Sequence, residues 1–284
     1  MQMKTLKTLL SLAPLAVFAA GCKYDTSPII APKPPIAFTR YVHAVPDSGG
    51  MDFRFVDVIE NSPVTFAMNF RGTFPGSGYS ETGAGSRHLR VFQSGNAADP
   101  TLNTPEIVSK VLFDTTFNFV ANTHYTIMVA GNMRAGQGKL FILTDDFADP
   151  GNGVEVRVVN AGVGTVDVYT SSAGGSTALP SSALVAGLGS LSASKYVPTS
   201  TASAMFLRAV NAGTKTVPAL VEAAMPAGLA ADQPNDLTAV GGIAQPGSVI
   251  TAFLMPKSVA GSKATSFTTA GIVYIVDKNP NSGF

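Results

Sequence analysis

From Ile36 onward, apolar residues alternate with polar ones or run in short blocks, a period of two that predicts strands. The clearest segments are Ile36–Val45, Met51–Ile59, Val64–Phe70, Arg87–Gln93, Val108–Val120, Thr123–Ala130 and Lys139–Thr144. In MDFRFVDVI, Met51, Phe53 and Phe55 share one face, and Asp52, Arg54 and Val56 share the other. Turn clusters separate the segments: Pro46–Gly50, Thr73–Gly78, Thr82–Ser86 and Gly131–Gly138. Ser181–Leu191 and Val217–Ala230 are rich in Ala and Leu, but Gly or Pro interrupts both, so neither competes as a helix. Many short strands with regular turn signals predict a β-sandwich.

The second half repeats this order. Val154–Ala161 followed by Thr165–Thr170 echoes Arg40–Ala44 followed by Met51–Phe55, aligning His43 with Asn160, Ala44 with Ala161 and Asp52 with Asp167. Leu140–Asp145 (LFILTD) matches Ile272–Asp277 (IVYIVD), and Tyr125–Ala130 (YTIMVA) matches Val249–Leu254 (VITAFL). The expected fold is all-β, with two tandem immunoglobulin-like β-sandwich domains at 36–148 and 154–279. A linker at 149–153 joins them, and 280–284 form a tail. Repeats of this length can each bury a sufficient core without a disulfide.

The N-terminus has a different pattern. Lys4 and Lys7 precede an apolar run from Leu9 to Ala20, interrupted by Pro14. At 1.5 Å per residue that run makes about 18 Å of helix, short of a hydrocarbon core of about 30 Å. It therefore reads as a secretory signal, residues 1–21. Ala19-Ala20-Gly21-Cys22 resembles the lipobox of bacterial lipoproteins, which implies acylation of Cys22 after cleavage. Lys23 in place of Asp implies, by proteobacterial sorting logic, an outer-membrane destination. Residues 22–35 then form the acylated Cys and a Pro-rich tether, with Pro28, Pro32, Pro34 and Pro35 favouring extended geometry.

Composition narrows the function classes. Charged residues are only 13% of the chain, with 19 Lys and Arg against 18 Asp and Glu. Losing Lys4 and Lys7 with the signal turns the net charge of +1 into −1. That leaves no basic field for nucleic acid and no electrostatic pull toward anionic lipid, so the expected membrane contact is the acyl group on Cys22. A single Cys excludes a disulfide framework and a Cys-rich zinc site.

The repeated unit resembles the domain-of-unknown-function family 4397. The residues that carry the likeness are clearest at Tyr41–Pro46, Leu143–Asp146 and Val156–Tyr169, and the likeness spans about 38–278. It implies tandem immunoglobulin-like β units in a secreted or lipid-anchored bacterial protein, and it implies no activity. The family more often reads H-A-S-P-D-A-P where this chain has His43-Ala44-Val45-Pro46-Asp47, and the second copy has Asn160-Ala161-Gly162.

Candidate chemistry is sparse. His43, His88 and His124 are far apart and show no metal-ligand spacing, so they read as ordinary strand histidines. No G-x-S-x-G elbow is present, and the second copy has no His. Gly131–Lys139 superficially follows a phosphate loop, but Gln137 stands where Lys is needed and a strand follows, so it reads as a hairpin loop. The junction residues Asp145, Asp146, Asp149 and Asn152 are hard oxygen donors that could hold calcium, or simply the residues a solvated turn prefers. Asp52 and Asp167 recur at one place in both copies, as repeated ligands or as carboxylates that hold backbone amides. The aromatics Phe53, Phe55, Phe66, Phe70, Phe74 and Tyr79 read as core packing, because alternation turns most of them inward.

The expectation is a non-enzymatic cell-envelope lipoprotein that presents β-sandwich modules to an envelope protein or glycan partner. A structural spacer is the alternative. An enzyme would need a constellation that these residues do not offer.

Overall fold

The strands follow from the period-two pattern. In a computed structural model, the described residues are 34–58, 64–95, 110–264 and 266–280. The segment read as a secretory signal, Cys22 and most of the expected tether therefore lie outside the described residues. In the first repeat the strands are β1 (Ile36–Ala44), β2 (Met51–Phe55), β3 (Thr73–Phe74), β4 (Ser80–Gly83), β5 (Gly85–Gln93), β6 (Val111–Phe119), β7 (His124–Ala130) and β8 (Lys139–Thr144). The second repeat holds β9 (Val154–Asn160), β10 (Val166–Ser171), β11 (Val185–Leu188), β12 (Ser192–Ala193), β13 (Val197–Thr199), β14 (Phe206–Asn211), β15 (Val221–Ala224), β16 (Ser248–Met255) and β17 (Gly271–Lys278). Among the described residues the only helical element is a 3-10 turn at Gln233–Asn235.

Each repeat is a two-sheet sandwich. In the first, β2-β5-β6 faces a sheet in which β1 lies between β7 and the short strands β3 and β4, with β8 at the edge. In the second, β11-β10-β14-β15 faces a sheet in which β9 lies between β16 and the short strands β12 and β13, with β17 at the edge. The central pairs β1·β7 and β9·β16 are parallel, and the hairpins β7·β8 and β16·β17 are antiparallel. Tyr41, Phe53, Leu89, Phe119 and Ile127 fill the first sandwich, and Val156, Val168, Leu207, Ile250 and Leu254 fill the second.

A third apolar cluster lies between the repeats. Val42, Ala44, Met128 and Ala130 project from the far face of the β1·β7 sheet onto Val159, Ala161, Phe253 and Met255 of the β9·β16 sheet. The two central sheets are thus covered on both faces, which explains why all eight residues of β16 are buried. The four sheets stack in one compact unit, Pro35–Phe284, with two inner and two outer layers.

Register differs from expectation at one place. Arg40 pairs with Thr126, and its counterpart Arg157 pairs with Thr251. The structural match of Tyr125 is therefore Ile250, one residue beyond the Val249 chosen from sequence. A continuous apolar run buried on both faces carries no phase, so YTIMVA and VITAFL can be slid by one without losing hydrophobic agreement. The pairing of Asp145 with Asp277 stands, since β8 and β17 keep that offset. Val64–Phe70 also differs. It is not a strand but a bent segment, with Ala67 at φ 48°, held to β2 by one isolated bridge, Met51 to Met68, and by single bonds such as the Val64 amide to the Phe53 carbonyl.

Candidate functional site

The most concentrated polar chemistry lies between the repeats, and it is arranged about a pseudo-twofold axis. Arg40 on β1 donates from Nε to Thr126 Oγ1 of its own repeat at 2.7 Å, and Arg157 on β9 donates from Nε to Thr251 Oγ1 of its own repeat at 3.2 Å. Each guanidinium then reaches into the other repeat. Arg40 Nη1 pairs with Asp277, and Arg157 Nη1 lies 2.7 Å from Asp145 Oδ1. Thr126 donates to Asp145 at 2.6 Å and Thr251 to Asp277 at 2.5 Å. Tyr79 and Tyr196 close the two ends, each donating to its repeat's aspartate at 2.8 Å. Each ring also lies under its repeat's guanidinium, 4.8 Å from Arg40 and 4.6 Å from Arg157.

This group is electrically neutral, with two cations and two anions, and nearly dry. Burial alone would lower the Arg40 guanidinium, but Asp277 and Asp145 hold it well above its ordinary value. Burial likewise pushes Asp145 up, yet Arg40 and Arg157 keep it below the usual carboxylate value. Burial, reinforced by Asp277, raises both the Tyr79 and Tyr196 phenols. These shifts keep the two guanidiniums and Asp145 charged and the two phenols neutral at neutral pH. Its work is to set how the repeats meet.

A second polar cluster lies at the opposite end of β1. Here the 45–50 and 131–138 loops of the first repeat meet the 256–270 loop of the second. A cleft of about 400 Å³ is lined by Ser48, Gln93, Lys110, Met133, Arg134 and Lys263, among others. Two buried residues beneath it fix the loops. Asp47 accepts from the Met133 amide at 2.9 Å and the Arg134 amide at 2.7 Å. His43 accepts from the Val45 amide at Nδ1 (3.2 Å), which leaves its proton on Nε2 to be donated to the Gly49 carbonyl at 2.9 Å. Burial pushes the His43 imidazole down to about 4, so it stays neutral. Cross-repeat contacts complete the end. Arg71 donates to the carbonyls of Pro256 and Thr269 and lies 4.1 Å from the Phe267 ring centre, and Arg134 donates to the Gly261 carbonyl at 2.7 Å.

The sequence candidates scatter. Asp145 is buried within the arginine pair, while Asp146 and Asn152 are exposed in the connecting segment. Asp149 caps the Gly151 amide and pairs with Lys278 at 3.1 Å. The four do not gather as calcium ligands, and among the described residues no three His, Cys, Asp or Glu side chains form a group that could hold a metal. His88 bonds Asp114 on the outer face of β5, and His124 stacks on Phe38 far from it. Asp52 holds the Ala67 amide and the Ser94 hydroxyl, and Asp167 holds the Gly187 and Gly213 amides, the backbone-holding use. Gly131–Lys139 is the hairpin loop between β7 and β8 with the first residue of β8. Phe53, Phe55 and Phe70 are core residues, whereas Phe66 is 71% exposed.

The arginine pair and the loop cleft were both missed from sequence. Arg40 and Arg157 stand at the same offset in two largely apolar, buried strands, and their repeats end in equivalent aspartates. Opposite charges at repeated apolar positions are a readable signal. The cleft has none, because it forms from loops far apart in the chain.

Comparison with solved structures found a protein from Parabacteroides distasonis described as "Putative cell adhesion protein". It is 13% identical, covering 87% of this chain and 99% of that one, at a TM-score of 0.19, too low to carry an argument. No curated protein matches. Residues 37–169 match the family described as Domain of unknown function (DUF4397), from β1 through the first repeat and into β10.

Proposed function

We propose that this protein is a non-enzymatic lipoprotein of the bacterial cell envelope, anchored through acylated Cys22 in the outer membrane, whose loop end binds a partner. One observation carries this reading. The chain enters β1 at Ile36, and the cleft lies beyond Ala44 at the other end of that strand. Nine residues at about 3.3 Å each separate the two by about 30 Å. An anchor on the Ile36 side therefore leaves the loop end free to present its polar groups. Loops held by a rigid scaffold are the usual place for recognition.

The test uses the full chain in cells. Replacing Cys22 by Ser moves the protein from the membrane fraction to the soluble one if the anchor reading is right. A photo-crosslinking residue at Ser48 captures a partner, whereas the same residue at Asp146, on the Ile36 side, does not. Unchanged fractionation overturns the anchor, and equal or absent crosslinking at both positions overturns the binding end.

A rigid spacer is the second reading, favoured by the locked interface between the repeats. It predicts that substitutions in the cleft change nothing that cells do.

A further inference from the structure

We propose that the loop cleft is a site for an acidic polysaccharide, gripped through its carboxylate or sulfate groups. This rests on the reading that the loop end binds. Three cations, Lys110, Arg134 and Lys263, line one cleft in a chain whose 19 basic and 18 acidic residues otherwise nearly cancel. The one acidic lining residue, Asp47, is buried and gives both oxygens to backbone amides, so its charge is already committed. Among the described residues, neither lysine has a carboxylate partner, and the only bond of the Arg134 guanidinium is to the Gly261 carbonyl. All three cations are exposed, and Arg134 is held at the rim by the Gly261 carbonyl. Lys263 packs against Gly49, where an added Cβ would lie 3.7 Å from the lysine Cβ.

The arrangement is built, not incidental. Asp47 and His43 fix the two loops that carry Ser48 and Arg134, so the cations need little further ordering on binding. Arg134 and Lys263 are joined through one loop of the second repeat, so the charge cluster exists only when both repeats are docked. Beside the cations lie neutral hydrogen-bonding groups, Ser48 and Gln93, and the aliphatic side chain of Met133. Neutral polar groups suit sugar hydroxyls, aliphatic carbons suit the C–H face of a ring, and the cations suit its acidic substituent. Among the described lining residues, Asp47 is the only carboxylate, and its oxygens are taken by backbone amides.

The test titrates the full chain, made soluble by Cys22→Ser, at low ionic strength. The probes are polygalacturonate, sulfated dextran, unmodified dextran, polyglutamate and inorganic sulfate. The expected result is binding of both acidic polysaccharides, weakened about tenfold by Lys110→Gln with Lys263→Gln. Lys195→Gln with Lys215→Gln removes the same charge elsewhere and leaves the affinity unchanged. Thermal unfolding checks that both variants are folded at the titration temperature, since Lys215 also bonds the Pro180 and Ser181 carbonyls. Equal weakening by the two pairs of substitutions overturns the site, as does wild-type failure to bind either polysaccharide. Polyglutamate binding as tightly per charge, or inorganic sulfate as tightly per anion, overturns the assignment to a glycan. If polysaccharide binding fails while Ser48 still crosslinks in cells, only this inference falls. If both fail, the binding end falls with it.

Discussion

Arg40 pairs with Asp277 of the other repeat, and Arg157 in turn forms an ion pair with Asp145. Each cation thus crosses to the anion belonging to its counterpart. Exchanging charges this way makes the contact self-complementary, as in a twofold dimer, although both halves lie on one chain. Removing one member leaves buried charge without compensation. Arg40→Met is expected to destabilise by about 3–5 kcal/mol, because Asp277 and Asp145 remain in a dry interior. Adding Asp277→Asn should cost less than the sum of the two single changes. Urea unfolding of the four proteins in a double-mutant cycle measures this, and additive effects would show that the pair does not couple.

His43 provides a pH-dependent term of known sign. Its imidazole is held near 4 in the fold against an ordinary 6.5, so the unfolded chain binds more protons between those values. The contribution is complete above pH 6.5 and is lost as pH falls toward 4. Its upper size is about 3.5 kcal/mol, from about 1.4 kcal/mol per unit over the 6.5-to-4 shift. His43→Gln keeps a donor for the Gly49 carbonyl and cannot titrate. The wild-type protein should therefore lose more stability than the variant between pH 6.5 and 4. Unfolding curves at half-unit steps check this, and parallel pH profiles would exclude it.

The strands and the duplication were legible because outer-layer strands alternate, as in MDFRF, where one face meets the core. The inner layers were only partly legible. Buried on both faces, YTIMVA and SVITAFLM show no alternation, so the residues that join the repeats, such as Met128 and Phe253, looked the same as those filling a sandwich. For the same reason the register slipped by one at Tyr125. Asp145 was singled out correctly as unusual but given the wrong surroundings. Its place beside Asn, Pro and Gly suggested a solvated junction, whereas its carboxylate turns inward to arginines that lie far away in sequence. The cleft was invisible for a simpler reason, since Lys110 and Lys263 meet only through the docking of the two repeats.

The shared apolar layer makes a prediction about cooperativity. Phe253 is completely buried between the repeats, against Val42, Met128 and their neighbours. Sandwiches joined only by a linker would melt separately. Here neither repeat can lose its inner sheet without exposing the other's. Calorimetry should show a single transition. Phe253→Ala should destabilise that transition by about 3–5 kcal/mol, and it should shift fluorescence probes in both repeats together. Two resolved transitions in the parent protein would contradict the shared layer.

Two glycines in one hairpin separate space from backbone conformation as reasons for glycine. Both Gly131 (φ 93°) and Gly136 (φ 67°) lie in the loop that carries Arg134, in the region that disfavours side chains. At Gly136 an added Cβ meets nothing within 4 Å, so Gly136→Ala pays only the conformational term, about 1 kcal/mol. At Gly131 the same Cβ runs into the Gln137 carbonyl across the loop. Gly131→Ala must therefore shift the backbone that closes the hairpin, including the Gln137 amide bond to Asn132. A cost of about 2–4 kcal/mol is expected, from strain and the displaced hydrogen bond together. Because Asp47 holds the amides of Met133 and Arg134, that shift should also disturb the cleft. The measurement is amide hydrogen exchange of residues 131–138 alongside urea unfolding. Gly131→Ala should speed exchange at Met133 and Arg134 and Gly136→Ala should not, while similar behaviour of the two variants would mean that the loop yields to the clash.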